Sequence, residues 1–313
     1  RDPVLRGLRA QPEPWLDRPF SQALQHPAAL RRQQEPPLRG AEPGRGTGLT
    51  AGVGRRHGPD SMRPTPLPAL QDNYVWALGA GKALVVDPGA AEPVFAAAER
   101  GLVPAAILLT HHHADHCAGV PELLERWPGV PVVGPDDPRI PFASERAGDG
   151  DRLQLGGHAI RVIGVPGHTR SHIAYLVEGA LFCGDTLFSL GCGRMFEGEA
   201  VQMHESLQRL AALPGDTLVC CGHEYTLSNA AFALAVEPGN RALARRQAEA
   251  TALRQAGQPT VPVALSTELD TNPFLRCGEP AVREAAARRL GHAPRNDADC
   301  FGALRAWKDG FAA

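Results

Sequence analysis

The sequence predicts an α/β domain followed by a smaller, all-helical one. Three observations lead there: short apolar runs alternate with helical patterns from Leu67 onward, four of those runs end on a His or an Asp, and after Tyr225 only helical patterns follow. The 313 residues match a prior of about two domains at roughly 150 residues each.

Along the chain, the first 61 residues stand apart: 17 of them are Pro or Gly, against 46 of the following 252, and no periodic apolar pattern runs through them. Such a stretch cannot bury enough surface to order itself, so residues 1–61 are expected to be a disordered or non-native extension, with Met62 a plausible start. "YVWAL" and "KALVVDPG" then read as a hairpin pair, and "AEPVFAAAERG" as a helix ended by Gly101. Four later runs, "AAILLT", "IRVIGVPG", "ALFCG" and "TLVCCG", lead into His111, His168, Asp185 and His223. Each candidate strand thus delivers a metal-type ligand just past its C-terminal end, where α/β folds gather their active-site residues. "LSNAAFALAVE", "NRALARRQAEATALRQAG", "EPAVREAAARRLG" and "DADCFGALRAWKDG" read as helices, with the Pro-rich "QPTVPVALSTELDTNPF" as a connector. The expected boundaries are 62–227 for the sheet-containing domain and 228–313 for the helical one.

Composition narrows the function classes. Lys+Arg 32 against Asp+Glu 34 leaves a net charge of -2, so no basic field argues for nucleic acid as a partner. No apolar stretch reaches the roughly 18 to 20 residues of a membrane span, and no signal-peptide core opens the chain. The seven cysteines are odd in number, scattered and without a CxxC pair, which fits small buried hydrophobes in a reducing compartment. A cytoplasmic monomer is the expectation.

Residues 110–116 read Thr-His-His-His-Ala-Asp-His, which sets His111, His113, Asp115 and His116 in an H-x-H-x-D-H arrangement. Imidazoles mixed with carboxylates suit Zn, Fe or Mn, and the same ligands accept all three. In an extended backbone, residues two apart point the same way, so His111 and His113 can chelate one ion while Asp115 and His116 begin a second site. His168, Asp185 and His223 supply further ligands at matching strand ends, and a carboxylate can bridge two cations through its two oxygens, so Asp185 is the natural bridge. His112, between ligands, is expected to point away into the scaffold, and His172 to support rather than ligate.

This H-x-H-x-D-H run with its later His, Asp and His resembles the metallo-β-lactamase superfamily. Finer motifs, "LQDNYVWAL" (70–78), "FCGDTLFSLGCGRMFEG" (182–198), "CGHEYT" (221–226), "TNPFLR" (271–276) and "LRAWKD" (304–309), are similar to those of the glyoxalase II family, in family order and across residues 62–313. The resemblance implies an αββα sandwich followed by a smaller C-terminal all-helical domain, two divalent metal ions per chain, most simply Zn, and hydrolysis of S-D-lactoylglutathione to D-lactate and glutathione. It implies His111, His113 and His168 on one metal, Asp115, His116 and His223 on the other, and Asp185 between them, with Asp115 and Asp185 as the catalytic carboxylates. It also implies a substrate groove of Arg194, Phe196, Tyr225, Arg305 and Lys308, whose cations suit the two carboxylates of a glutathione thioester. Phe196 stands where some members carry Tyr, so any hydroxyl contact there is absent.

Elementary chemistry agrees with that implication. Two cations bring the pKa of a shared water from about 15.7 to near neutrality and polarise a thioester carbonyl. A departing thiolate, from a thiol of pKa about 8.5, needs no strong general acid. Another thioesterase, a lactonase or a persulfide dioxygenase would use the same scaffold, and "GCGR" with the basic last helix argues against them. A protein whose metals only hold the fold together would more often present closed Cys/His tetrahedra.

Overall fold

The computed structural model describes residues 63–311; the extension expected over 1–61 and the start expected at Met62 lie outside the described residues. The first sheet opens with three antiparallel strands, β1 (Thr65–Ala69), β2 (Asn73–Leu78) and β3 (Lys82–Val86), the last two pairing Trp76 with Val86 and Leu78 with Leu84 as the hairpin pattern predicts. Helix α1 (Glu92–Ala98) then crosses to β4 (Val103–Leu108), and α2 (Ala114–Cys117) with α3 (Val120–Arg126) crosses to β5 (Val132–Pro135), which pairs with β6 (Glu145–Ala147). From β3 to β6 the pairing is parallel, and the sheet runs in chain order β1 to β6.

The second sheet begins with β7 (Arg152–Leu155), β8 (His158–Gly164), β9 (Ile173–Val177) and β10 (Ala180–Gly184), each antiparallel to the one before it, followed by a small hairpin of β11 (Leu187–Phe188) and β12 (Gly191–Cys192). Helix α4 (Ala200–Ala211) returns the chain to β13 (Leu218–Cys221), parallel to β10. Five helices complete the described chain: α5 (Thr226–Val236), α6 (Arg241–Gln255), α7 (Leu265–Thr271), α8 (Pro280–Leu290) and α9 (Asp297–Asp309). The Pro-rich connector holds more structure than a linker: Val263–Ala264 forms β14, antiparallel to β13 at the sheet edge, and α7 follows directly. An edge is where a strand beside Pro262 is tolerated, because proline has no N–H for the ladder. Among the described residues, no helix is long and apolar enough to cross a membrane.

Two apolar layers hold this together. On β2, Tyr74, Trp76 and Leu78 face the second sheet, while Val75 and Ala77 face the helices on the other side, and every residue of the strand is buried. That alternation lets one strand serve two cores. The inter-sheet core, with Leu84, Leu108, Val162, Tyr175 and Phe182, continues without a break into Phe232, Phe274 and Phe301 of the C-terminal helical region. Tyr175 spans the sandwich, its hydroxyl donating to the Leu109 carbonyl of the opposite sheet at 2.9 Å. All seven cysteines are buried, as expected of small core residues.

Phe182 meets Trp76 edge-on at 6.2 Å in the middle of this interface. Phe182→Ala is expected to lower unfolding free energy by about 3 to 5 kcal/mol in chemical denaturation. A loss below about 1 kcal/mol would show that the two sheets are not closely packed there.

Candidate metal centre

The ends of β4, β8, β10 and β13 meet at one rim of the sandwich. His111 and His113 follow β4, Asp115 and His116 lie in the single turn of α2, His168 follows β8, Asp185 comes directly after β10, and His223 follows β13. His113 is still extended, at φ -61° and ψ 142°, and serves as the N-cap of α2, so the chain changes from extended to helical inside the motif. That change sends the two halves of H-x-H-x-D-H to different places.

Two triads result. His113 Nδ1 lies 3.1 Å from His111 Nε2 and 3.0 Å from His168 Nε2. His223 Nε2 lies 3.3 Å from His116 Nε2 and 3.4 Å from Asp115 Oδ2. Asp185 stands between them, Oδ1 at 3.3 Å from His116 Nε2, and Oδ2 at 3.4 Å from His223 Nε2 and 3.6 Å from His168 Nε2. Asp185 Oδ1 is buried and has no hydrogen-bond partner. Both triads meet the spacing of a metal-binding group.

The outward nitrogens decide what the inward ones can do. His168 Nδ1 contacts the Arg194 carbonyl at 2.8 Å, His116 Nδ1 the Asp87 carboxylate at 3.1 Å, and His223 Nδ1 the Asp72 carboxylate at 2.8 Å. These oxygens only accept, so each ring donates its Nδ1–H and turns Nε2 inward. His111 follows the same rule: Thr110 Oγ1 donates to Asp87 at 2.7 Å and so accepts from His111 Nδ1 at 3.0 Å. Ring lone pairs at 3 Å from one another, around a buried carboxylate, form a set that a cation completes, and fixing the tautomer from behind is how ligating histidines are oriented. The titration behaviour points the same way. Burial, with His168 close by, lowers His113 to about 4, leaving it neutral. Burial also opposes charge on His223, but hydrogen bonds to Asp115 and Asp185 outweigh it and push His223 up to about 10. Positive charge is therefore favoured beside the two carboxylates, and a divalent ion supplies it in place of protons.

Sequence reasoning missed the supporting residues. Asp87 is buried and also accepts from the Thr110 N–H at 2.8 Å, so it orients His116 although it sits close enough to His111 and His116 to group with them. Asn73 donates to Asp115 Oδ2 at 3.0 Å and to the Asp115 carbonyl at 3.2 Å. Asp87 at the end of β3 obeys the same strand-end rule as the candidate ligands, which is the signal that could have found it. Glycine is required where the backbone passes Asp185 and His116: a Cβ on Gly222 would lie 2.6 Å from both Asp185 Oδ1 and His116 Cε1. His172 stacks on His111 at 4.6 Å and 17°, and its Nε2 accepts from the Asp185 N–H at 3.2 Å. His112 turns away from both triads toward charged groups rather than core, with Nδ1 3.6 Å from Asp137.

The residues expected to line a substrate groove take different positions around the rim. Phe196 is 64% exposed, its ring edge-on to His168 at 5.3 Å and to His113 at 5.6 Å. Tyr225 lies flat on His223, 4.7 Å between centroids and 7° between planes. Arg194 is exposed, with Nε 3.7 Å from Asp309. Lys308 donates to the Ser228 carbonyl at 3.2 Å. Arg305 is buried, donating to the Cys192 carbonyl at 2.9 Å and to Asp309 at 3.0 Å.

Comparison with known proteins matches this architecture. A family model of the metallo-β-lactamase superfamily matches residues 67–223, and one of the hydroxyacylglutathione hydrolase C-terminus matches residues 224–311. The chain is 62% identical over 255 residues to a hydroxyacylglutathione hydrolase of Xanthomonas axonopodis pv. citri, covering 80% of this chain and 100% of that protein. It is 57% identical over 252 residues to one of Xylella fastidiosa, covering 80% of this chain and 98% of the relative. Among solved structures, ETHE1 from Myxococcus xanthus superposes with a TM-score of 0.52 at 25% identity, over 80% of this chain and 100% of that one. The BLEG-1 B3 metallo-β-lactamase gives 0.51 at 24% identity, over 68% of this chain and 98% of that one, a likeness of fold alone. Two triads at a strand-end rim, both family models and these relatives place the chain in the hydroxyacylglutathione hydrolase, or glyoxalase II, family of the metallo-β-lactamase superfamily.

Proposed function

We propose that this thioester hydrolase cleaves S-D-lactoylglutathione and related S-2-hydroxyacylglutathiones to glutathione and the free hydroxy acid, the second step of methylglyoxal detoxification. The observation that carries the reading is the pair of converging triads with Asp185 between them, in a chain 62% identical to a hydroxyacylglutathione hydrolase. In this reading His111, His113 and His168 hold one divalent ion, Asp115, His116 and His223 hold a second, and Asp185 is shared. Zn is the simplest occupant, and Fe or Mn would fit the same nitrogen and oxygen donors. When bound, such a pair supplies a water acidified to near neutrality and a Lewis-acid contact for the thioester carbonyl.

The chain's own residues do the rest. Asp115, whose side chain is 41% exposed, faces the mouth of the site and can accept a hydrogen bond from the attacking water, while Asn73 fixes its Oδ2. Phe196 and Tyr225 wall the opening over the two triads and keep the thioester between them. Arg194 and Lys308 offer charge to the glutathione carboxylates. Arg305 contributes from beneath, by holding the Cys192 carbonyl and adding to the positive field. No general acid is needed, because glutathione leaves as a thiolate. The division of labour follows: residues 62–227 for catalysis and 228–313 for substrate binding. One chain supplies every ligand, which fits a monomer, and seven buried cysteines without a CxxC pair fit the cytoplasm.

The direct test is thiol release from S-D-lactoylglutathione by the purified chain, with metal content measured on the same sample. Rapid release with about two ions per chain supports the reading, and two ions without turnover would discard the substrate. Asp87→Asn should keep the fold but weaken metal retention by about 10- to 100-fold, read by dialysis against a chelator; unchanged retention would remove Asp87 from the support of His116. Lys308→Ala should raise KM by about 5- to 30-fold, the loss of one charged hydrogen bond, with kcat little changed. An unaltered KM would take the last helix out of the substrate groove.

A further inference from the structure

Between Asp185 and Arg194 the chain forms the β11–β12 hairpin, whose tip holds Leu190 at φ 60°, a left-handed conformation that leucine rarely adopts. The polar groups of that tip are met by side chains from the C-terminal helices. Asn229 donates to the Ser189 carbonyl at 3.0 Å. Glu268 accepts from the Leu190 N–H at 2.7 Å and from the Ser189 hydroxyl at 2.9 Å. Asn272 donates to the Phe188 carbonyl at 3.1 Å and the Gly191 carbonyl at 2.9 Å, and it lies 3.1 Å from Glu268.

Glu268 and Asn272 are completely buried. A buried carboxylate is a costly way to join helices to a sheet, and apolar residues of similar volume do so at no such cost. What Glu268 adds is geometry, because it fixes a strained turn by two directed hydrogen bonds. The turn leads straight into the metal centre. A Cβ on Gly193 would lie 1.9 Å from the Asp185 carbonyl oxygen and 3.2 Å from His168 Nδ1. The next residue, Arg194, presents the carbonyl that takes the His168 Nδ1–H at 2.8 Å. A displaced hairpin therefore displaces both.

We propose that Glu268 and Asn272 are positioning residues of the metal centre: through the hairpin they set the Arg194 carbonyl and with it the His168 ring, so that the C-terminal helices determine how tightly His111, His113 and His168 hold their ion. The inference rests on the two-ion reading above. It assigns the helical region a part in assembling the metal site in addition to binding substrate.

The test uses the full chain stripped of metal and titrated with Co(II), with visible absorption and retention after dialysis as readouts and circular dichroism to confirm folding. Glu268→Leu and Asn272→Ala are expected to hold one of the two ions about 10- to 100-fold more weakly and to lose one component of the cobalt spectrum, the other ion being unaffected. Glu268→Gln should behave like the parent, since its amide oxygen still accepts from Leu190 and its NH2 can donate to the Ser189 hydroxyl. Should Glu268→Leu fail to fold, Asn272→Ser makes the same comparison with a smaller change. Folded variants that bind two Co(II) ions with parental affinity and spectrum would overturn the proposal, as would Glu268→Gln binding as weakly as Glu268→Leu. A parental chain unable to hold two ions would count instead against the two-ion reading, and is seen before any variant is compared.

Discussion

A carboxylate buried among imidazoles governs this structure. Asp185 has an oxygen with no hydrogen-bond partner and approaches three rings within 3.6 Å, in a place from which water is largely excluded. Burying a charge in this way is costly unless opposite charge comes with it. The chain spends much of its local architecture on keeping that arrangement in place. Four rings are held from behind by acceptors that settle their tautomers, and glycine stands at 193 and 222, where any side chain would strike Asp185. An apolar core explains none of this. Divalent metal binding explains it, since coordination replaces mutual lone-pair repulsion.

The fold makes such convergence possible at low entropic cost. Each candidate ligand follows a strand whose C-terminal half is largely buried, so the ladder fixes its backbone before any ion arrives. The strands come from two sheets, β4 from one and β8, β10 and β13 from the other. The inter-sheet core around Trp76, Tyr175 and Phe182 therefore sets the distance between the triads, and close packing gives it little freedom to drift. Stability and chemistry are thus coupled through the same apolar contacts.

Much of this was legible in the sequence because the candidate ligands obey a local rule. H-x-H-x-D-H is contiguous, and His168, Asp185 and His223 each close an apolar run, so strand periodicity alone exposes them. The supporting residues were harder to see, although Asp87 also closes a strand. Asp87 lies in "VVDPG" and Asp72 in "LQDNY", where an aspartate beside Gly, Pro or Asn reads as ordinary turn chemistry, and only three dimensions bring them behind His116 and His223. The two-residue strand β14 is shorter than any period that a pattern can reveal. The burial of Arg305 was equally hidden. Arg305 and Lys308 stand three residues apart on α9, and nothing in their spacing says that one guanidinium turns inward to Cys192 while the ammonium stays at the surface on Ser228.

The C-terminal helices deserve to be seen as continuous with the catalytic layers rather than appended to them. Their aromatic residues share the inter-sheet core, β14 extends the second sheet, and Arg305, Asn272 and Glu268 all hold the hairpin that joins Asp185 to Arg194. A module that only presented cations to a substrate could do so from a polar interface with few fixed contacts. This one sends buried side chains to the segment whose next carbonyl orients His168. Because backbone carbonyls cannot be altered by substitution, the position of that carbonyl has to be set by what grips the hairpin. The sequence places that grip nearly eighty residues downstream, so the geometry of the metal centre depends on the chain folding through to α7 and beyond.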